Sequence, residues 1–240
     1  MITQHRDGDI AVIEIDRHER RNALDTAHCH DLREALTGEA LTGHDSARAI
    51  VLTGAGSSFC AGADLKVVYD AAFRDALYAM LAAVTEVPVP VLAAVNGPAI
   101  GAGAQLALAC DLRIVAPEAR FAIPAARLGI AVNPWTIRRL ALLAGTGTAQ
   151  AVLIGGETLD ADAALRCGLA SRLGDRGAAL AWARDLSGLA PLSLAYAKKA
   201  LNEPDSAELA KDFEACWTSD DAAEGQRARA DKRPPRFRGR

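Results

Sequence analysis

Two short runs, residues 47–53 and 91–95, are almost wholly apolar, and each leads into turns of small residues. The first ends in Gly54-Ala55-Gly56-Ser57-Ser58; the second reaches Gly97-Pro98 and then Gly101-Ala102-Gly103. Runs this short and this apolar predict strands buried on both faces, as in a parallel sheet covered by helices. Residues 9–16 (DIAVIEID) alternate apolar and polar and predict a strand with one wet face. Helices are expected at 22–38, with Asn22 or Asp25 as cap, at 69–86, ended by Pro88 and Pro90, and at 101–109. Further short strands are expected at 111–115 and 121–123. Beyond Pro134 the pattern turns helical: 135–143, 148–153, 160–167, 177–189, 193–201 and a charged stretch at 206–230. Strands alternating with helices, then helices alone, predict an α/β core with a helical C-terminal extension. Residues 232–240 are basic and Pro-rich and are expected as an extended tail.

Composition removes several classes. The 240 residues carry 27 Lys and Arg against 30 Asp and Glu, a net charge of −3, and half are hydrophobic. Such a chain is too apolar and too evenly charged to be disordered, and it lacks the basic excess of a nucleic-acid binder. The longest weakly polar run, 98–110, contains Gln105 and falls short of the ~20 residues that cross a bilayer. No leader-like apolar stretch precedes a small-residue cleavage site, and the five cysteines are odd in number with no CxxC pair. A cytoplasmic setting is expected, with most of the thiols as core residues. His28-Cys29-His30 looks like a metal tract, but side chains at i and i+2 do not share a helical face, so no metal site is expected. The Ala- and Arg-rich, Lys-poor bias (Lys66, Lys198, Lys199, Lys211 and Lys232 only) reflects GC-rich coding.

The glycine-rich turns invite a dinucleotide reading, G-x-G-x-x-G after a strand. In the first turn the third glycine position holds Phe59; the turn at Gly101 also lacks its third glycine, and no P-loop is present. A second chemistry fits both turns. Small residues let backbone approach a ligand, and peptide N–H groups at a helix start carry partial positive charge. Two such donors converging on one oxygen make an oxyanion hole, suited to a thioester enolate. The alternative is two tight turns whose glycines serve only unusual backbone angles.

Taken together, LTGAGSSFCAGADL (52–65) and PVLAAVNGPAIGAGAQLALACD (90–111) resemble the enoyl-CoA hydratase/isomerase family, the crotonase fold. RHERRNALD (17–25), Leu128-Gly129 and DADAALRCG (160–168) match its other segments in the right order. The resemblance implies a ClpP/crotonase-like spiral core of ββα units over 1–190. It also implies a C-terminal helical trimerisation region and basic tail over 191–240, giving a homotrimer or dimer of trimers. It places the oxyanion donors on Ala63 and Ala102 and coenzyme A, as part of the thioester ligand, along Arg20, Arg21, Ala61, Leu65 and Lys66. Lys232 would come from a neighbouring subunit. No separate cofactor is implied. The acyl pocket would be lined by Val68, Phe73, Leu77, Ile123 and Trp135, the last also readable as a core residue.

The departures bear on activity. Family hydratases use two glutamates for acid–base work; the matching positions hold Gln105 and Ala125. Each positioned acid or base contributes about 10²–10⁴-fold, so losing both implies little or no hydration. The segment after Gly129, glycine-rich in the family, reads Val132-Asn133-Pro134-Trp135. Within the family the chain looks nearest to a mycobacterial homologue that lacks both glutamates and binds long fatty acyl-CoA for lipid synthesis. Three readings stay open: a fatty acyl-CoA binder, an active hydratase or isomerase with another carboxylate (Asp70, Asp75 or Glu86), and an assembly surface for lipid-synthesis enzymes.

Overall fold

The alternating segment folds as β2 (Ile10–Ile15), preceded by a strand the pattern did not mark, β1 (Ile2–Asp7), which pairs with it antiparallel. β1 is a sheet edge carrying Thr3, Gln4, His5 and Arg6, so it needs no apolar face. The structure, a computed structural model, describes residues 1–38 and 46–240. The two apolar runs become β3 (Ala49–Gly54) and β4 (Val91–Val95), buried at every position. They lie parallel at the centre of a six-stranded sheet of order β1-β2-β3-β4-β6-β9. There β6 is Leu112–Val115 and β9 is Arg172–Leu173. A smaller sheet joins β5 (Pro98–Ile100), β7 (Arg120–Ala122) and β8 (Leu159–Asp160).

Period-2 alternation splits the buried side chains between two layers. Val12, Val51, Leu92 and Ile114 face Ala179 and Ala183 of a late helix (Arg176–Ser187). Ile13, Leu52 and Ala93 face the main core. There lie α1 (Thr26–Thr37), α2 (Ala71–Glu86) and α3 (Ala102–Ala109). All eight residues of α3 are buried, which marks a helix covered on every side. Its C-terminal carbonyls meet one buried and one half-buried cation. Arg113, 2% exposed, donates to Ala107 O at 3.2 Å, Cys110 O at 2.7 Å and Leu169 O at 2.5 Å. Arg139 donates to Leu108 O at 3.1 Å. Burial pulls the Arg113 pKa down to about 10, so the group stays charged at neutral pH where it faces the negative end of the helix dipole.

Next come α4 (Pro134–Ala144), α5 (Thr146–Leu153), α6 (Ala161–Arg166) and α7, the Arg176–Ser187 helix already met. Then follow α8 (Pro191–Asn202), α9 (Leu209–Thr218) and α10 (Asp220–Ala230). The charged stretch is thus two helices, divided at Ser219, whose hydroxyl accepts from Ala222 N. One open choice is decided and one expectation changes. Asp25, not Asn22, caps α1, accepting from His28 N at 3.0 Å. Residues 232–240 do not extend freely. The Asp221 carboxylate takes the Arg238 and Gly239 N–H groups, Glu224 pairs with Arg233, and Arg48 donates to Phe237 O at 2.8 Å. Buried and part-buried acceptors outweigh the freedom of a basic, Pro-rich end. Among the described residues no helix is long and apolar enough to cross a membrane.

Candidate functional site

Side chains and backbone carbonyls lock the first glycine-rich turn. Asn22, fully buried at φ 59°, donates to Ala55 O at 2.9 Å and Ser58 O at 2.7 Å. Asn96 donates to Gly54 O at 2.8 Å and Gly56 O at 2.9 Å. The turn then runs beside the start of α3. Cys60 N donates to Pro98 O and Ile100 N to Cys60 O. Two glycines permit this approach. A Cβ on Gly103 would stand 2.1 Å from Cys60 O. One on Gly62, whose φ is +107°, would stand 2.8 Å from Ile100 O.

This juxtaposition puts Ala63 and Ala102 on the wall of one cavity of about 670 Å³. Among the described residues no backbone acceptor takes either N–H. The Ala102 N–H is one of the orphan donors that every helix start leaves. Asp64, next to Ala63, is spent on the turn: it accepts from Lys66 N at 3.1 Å and pairs with Arg17 at 3.1 Å. The Lys66 N–H and the Arg17 charge together hold the Asp64 carboxyl below its usual range. Arg17 also pairs with Asp25 at 3.3 Å, so one guanidinium joins the turn to the cap of α1.

The cavity gathers ten of the expected residues: Ala61, Ala63, Leu65, Val68, Phe73, Leu77, Ala102, Gln105, Ile123 and Ala125. Phe73 and Leu77 reach it from one face of α2, four residues apart. Ala125 opens a 3-10 turn, Ala125–Leu128, and brings only a methyl group. Gln105 is 4% exposed, and its amide meets the Thr136 hydroxyl at 2.9 Å.

Five expected residues do not line it. Trp135, expected in the acyl pocket, instead packs against the main core from the first turn of α4. The α4 cap at Asn133 directs the buried Thr136, not Trp135, toward Gln105. Lys66 is exposed beside the cavity-lining Leu65. Arg20 and Arg21 are exposed too, although the Arg21 carbonyl accepts from Ala61 N at 2.9 Å. Lys232 is exposed just beyond α10, among residues that do not border this cavity.

Of the three alternative carboxylates, only Asp70 lines the cavity, where its side chain makes no cap to α2. Asp75 is exposed beside Arg74, and Glu86 borders a separate groove with Lys198 and Lys199. Sequence reading passed over Tyr78, Thr136 and Asn133. Tyr78 lines the cavity, and its Oη accepts from Asn133 N at 3.1 Å. Only the Asn-Pro step before an apolar helix hinted at the cap, and nothing in the chain linked it to Gln105. Cys60 is fully buried, and burial pushes its thiol up to about 12, so it stays protonated and is not a nucleophile. Among the described residues no group of three His, Cys, Asp or Glu side chains stands where it can hold a metal ion.

A family model for enoyl-CoA hydratase/isomerase matches residues 5–240. A Mycobacterium leprae protein described as probable enoyl-CoA hydratase echA6 is 47% identical over 237 residues, covering 96% of each chain. A solved structure of a putative enoyl-CoA hydratase from Streptomyces coelicolor superposes with a TM-score of 0.89 at 34% identity, covering 100% of this chain and 94% of that one. The enoyl-CoA hydratase of Bacillus anthracis gives 0.89 at 29% identity, covering 100% and 99%.

Proposed function

Because the chain belongs to the enoyl-CoA hydratase/isomerase family, we propose that it binds fatty acyl-CoA thioesters in lipid metabolism with little or no hydratase activity. The thioester oxygen would accept from Ala63 and Ala102 N–H, and the acyl chain would run between Phe73, Leu77 and Ile123. One observation carries this reading. The cavity wall holds two peptide N–H groups that have no backbone acceptor among the described residues, while the two acid–base positions beside them hold an amide and a methyl group. An oxyanion hole binds and polarises a carbonyl. Without a base to activate water and an acid to protonate carbon, polarisation alone leaves hydration slow.

Coenzyme A would lie over Ala61 and Leu65, with Arg20, Arg21 and Lys66 near its phosphates. Leu65 is 72% exposed at the cavity edge, which suits a flat ligand. A trimer or dimer of trimers would cover the exposed Leu201, Phe213 and Trp217 and bring Lys232 of a neighbouring copy toward the ligand. Surface left outside that oligomer would serve lipid-synthesis enzymes as partners.

Calorimetric titration with a long saturated acyl-CoA is expected to show saturable binding, together with negligible turnover of crotonyl-CoA and longer trans-2-enoyl-CoAs. No heat at high micromolar ligand would overturn the binding reading. Asp70 favours a second reading, an active enzyme with a relocated base, because among the described residues it is the one carboxylate on the cavity wall. Turnover that disappears in Asp70→Asn would establish it.

A further inference from the structure

The strands β2, β3 and β4 run parallel, so their starts share one edge of the sheet. The glycine-rich turns that wall the first cavity follow the far ends of β3 and β4. At the opposite edge a second cavity, also of about 670 Å³, opens beside Asp9, Arg48 and Pro90, which lead into β2, β3 and β4. Among the described residues none borders both cavities. This volume falls within the ~300–1,000 Å³ of small-ligand sites. The half-buried lining is aliphatic: Val89, Leu186 in the last turn of α7, and Leu192 and Leu194 in the first turn of α8. Leu189, between those helices, is 46% exposed. The exposed lining is also charged: Arg6, Asp9 and Arg238. Aliphatic surface ringed by polar groups is a mark of a ligand groove.

Charge selects the ligand. Arg48 donates to Leu189 O and Phe237 O, both at 2.8 Å, and its Nε is buried with no acceptor among the described residues. Both partners are carbonyls, so no described carboxylate balances this guanidinium. The Arg238 guanidinium also has no ion pair there; the Asp221 carboxylate takes only its backbone N–H. With Arg6, three arginines border the groove against one described carboxylate, Asp9. Aliphatic walls beside unbalanced cations fit an amphiphile whose negative charge is joined directly to an apolar chain. We infer that this groove binds a free fatty acid, its carboxylate against Arg48 and Arg238 and its chain along Leu186, Leu192 and Leu194. A thioester places a neutral carbonyl at that point of the chain and an alcohol a neutral hydroxyl, and neither balances the charge. A membrane surface calls for a protruding apolar face, whereas this opening is concave and takes single molecules. The site stands apart from the thioester reading, and neither needs the other.

The test uses dodecanoic acid on the full chain, with dodecanol as the uncharged match. A diazirine-bearing dodecanoic acid is photo-crosslinked and its adducts are mapped by mass spectrometry. Adducts are expected on residues 88–90 and 186–195, reduced by excess unlabelled acid. Calorimetry should show the acid about tenfold tighter than the alcohol, the scale of a hydrogen bond to a charged group. Arg238→Met should weaken the acid about threefold, as removal of one exposed charge does. Leu189→Glu sets a carboxylate into the groove at an exposed position and should weaken the acid by at least about tenfold. Adducts confined to residues of the first cavity overturn the inference, and so does equal affinity for acid and alcohol. Absence of acid binding overturns it and leaves the thioester reading standing. Affinity unchanged in both variants, or binding to anionic phospholipid vesicles without binding to the monomeric acid, overturns it too.

Discussion

The two ends of α3 are treated in opposite ways. At the C-terminal end Arg113 and Arg139 take the carbonyls of Ala107, Leu108 and Cys110, and Lys198 pairs with the neighbouring Asp111 at 2.9 Å. At the N-terminal end Gly101 offers no side-chain cap, and the Ala102 N–H is left to the cavity. Both ends belong to one buried helix of eight residues. Unmet backbone groups in an interior are costly. The chain satisfies them where only stability is at stake, and among the described residues it leaves the Ala102 N–H on the cavity wall without a backbone acceptor.

The contrast can be broken from the structural end. Arg113→Met leaves buried carbonyls without donors and should lower unfolding free energy by about 2–4 kcal/mol, read by urea denaturation. A loss under ~0.5 kcal/mol would mean the carbonyls find other partners or water. At the functional end the proposed weakness in hydration is assigned to the missing side chains, not to the backbone. The double variant Gln105→Glu with Ala125→Glu should therefore raise crotonyl-CoA hydration by at least about 100-fold. A rate unchanged from the wild type would mean that the cavity misplaces the ligand or excludes water.

The smallest effect sharpens the point about the open donor. Ala102 is the first residue of α3, where proline fits the helix but has no N–H. Ala102→Pro should weaken acyl-CoA binding about tenfold, the scale of one carbonyl hydrogen bond, with little change in melting temperature. Undiminished affinity would assign the carbonyl to another donor.

Much of this was legible because it depends on local pattern. Buried strands reveal themselves as apolar runs, and β3 and β4 appeared within two residues of their expected limits. The edge strand β1 was not legible, because a strand that buries little needs no apolar face. The cavity residues on α2 and at the turns were reachable through spacing and family resemblance. Trp135 was readable as pocket or core, because sequence cannot say which side of a first helical turn meets the core; it packs against the core. The C-terminal segment was misjudged because its partners, Asp221, Glu224 and Arg48, lie in other elements.

The amino-acid sequence by itself determined the α/β class, the family and the absence of a carboxylate at positions 105 and 125, since each is written in residue identity and order. Only the tertiary structure decided what Gln105 is bonded to. Its partner Thr136 lies 31 residues away, and the Asn133 cap of another helix holds that hydroxyl in place. Side-chain polarity is a property of a residue, but which of its atoms remains free is a property of its neighbours, and folding chooses those.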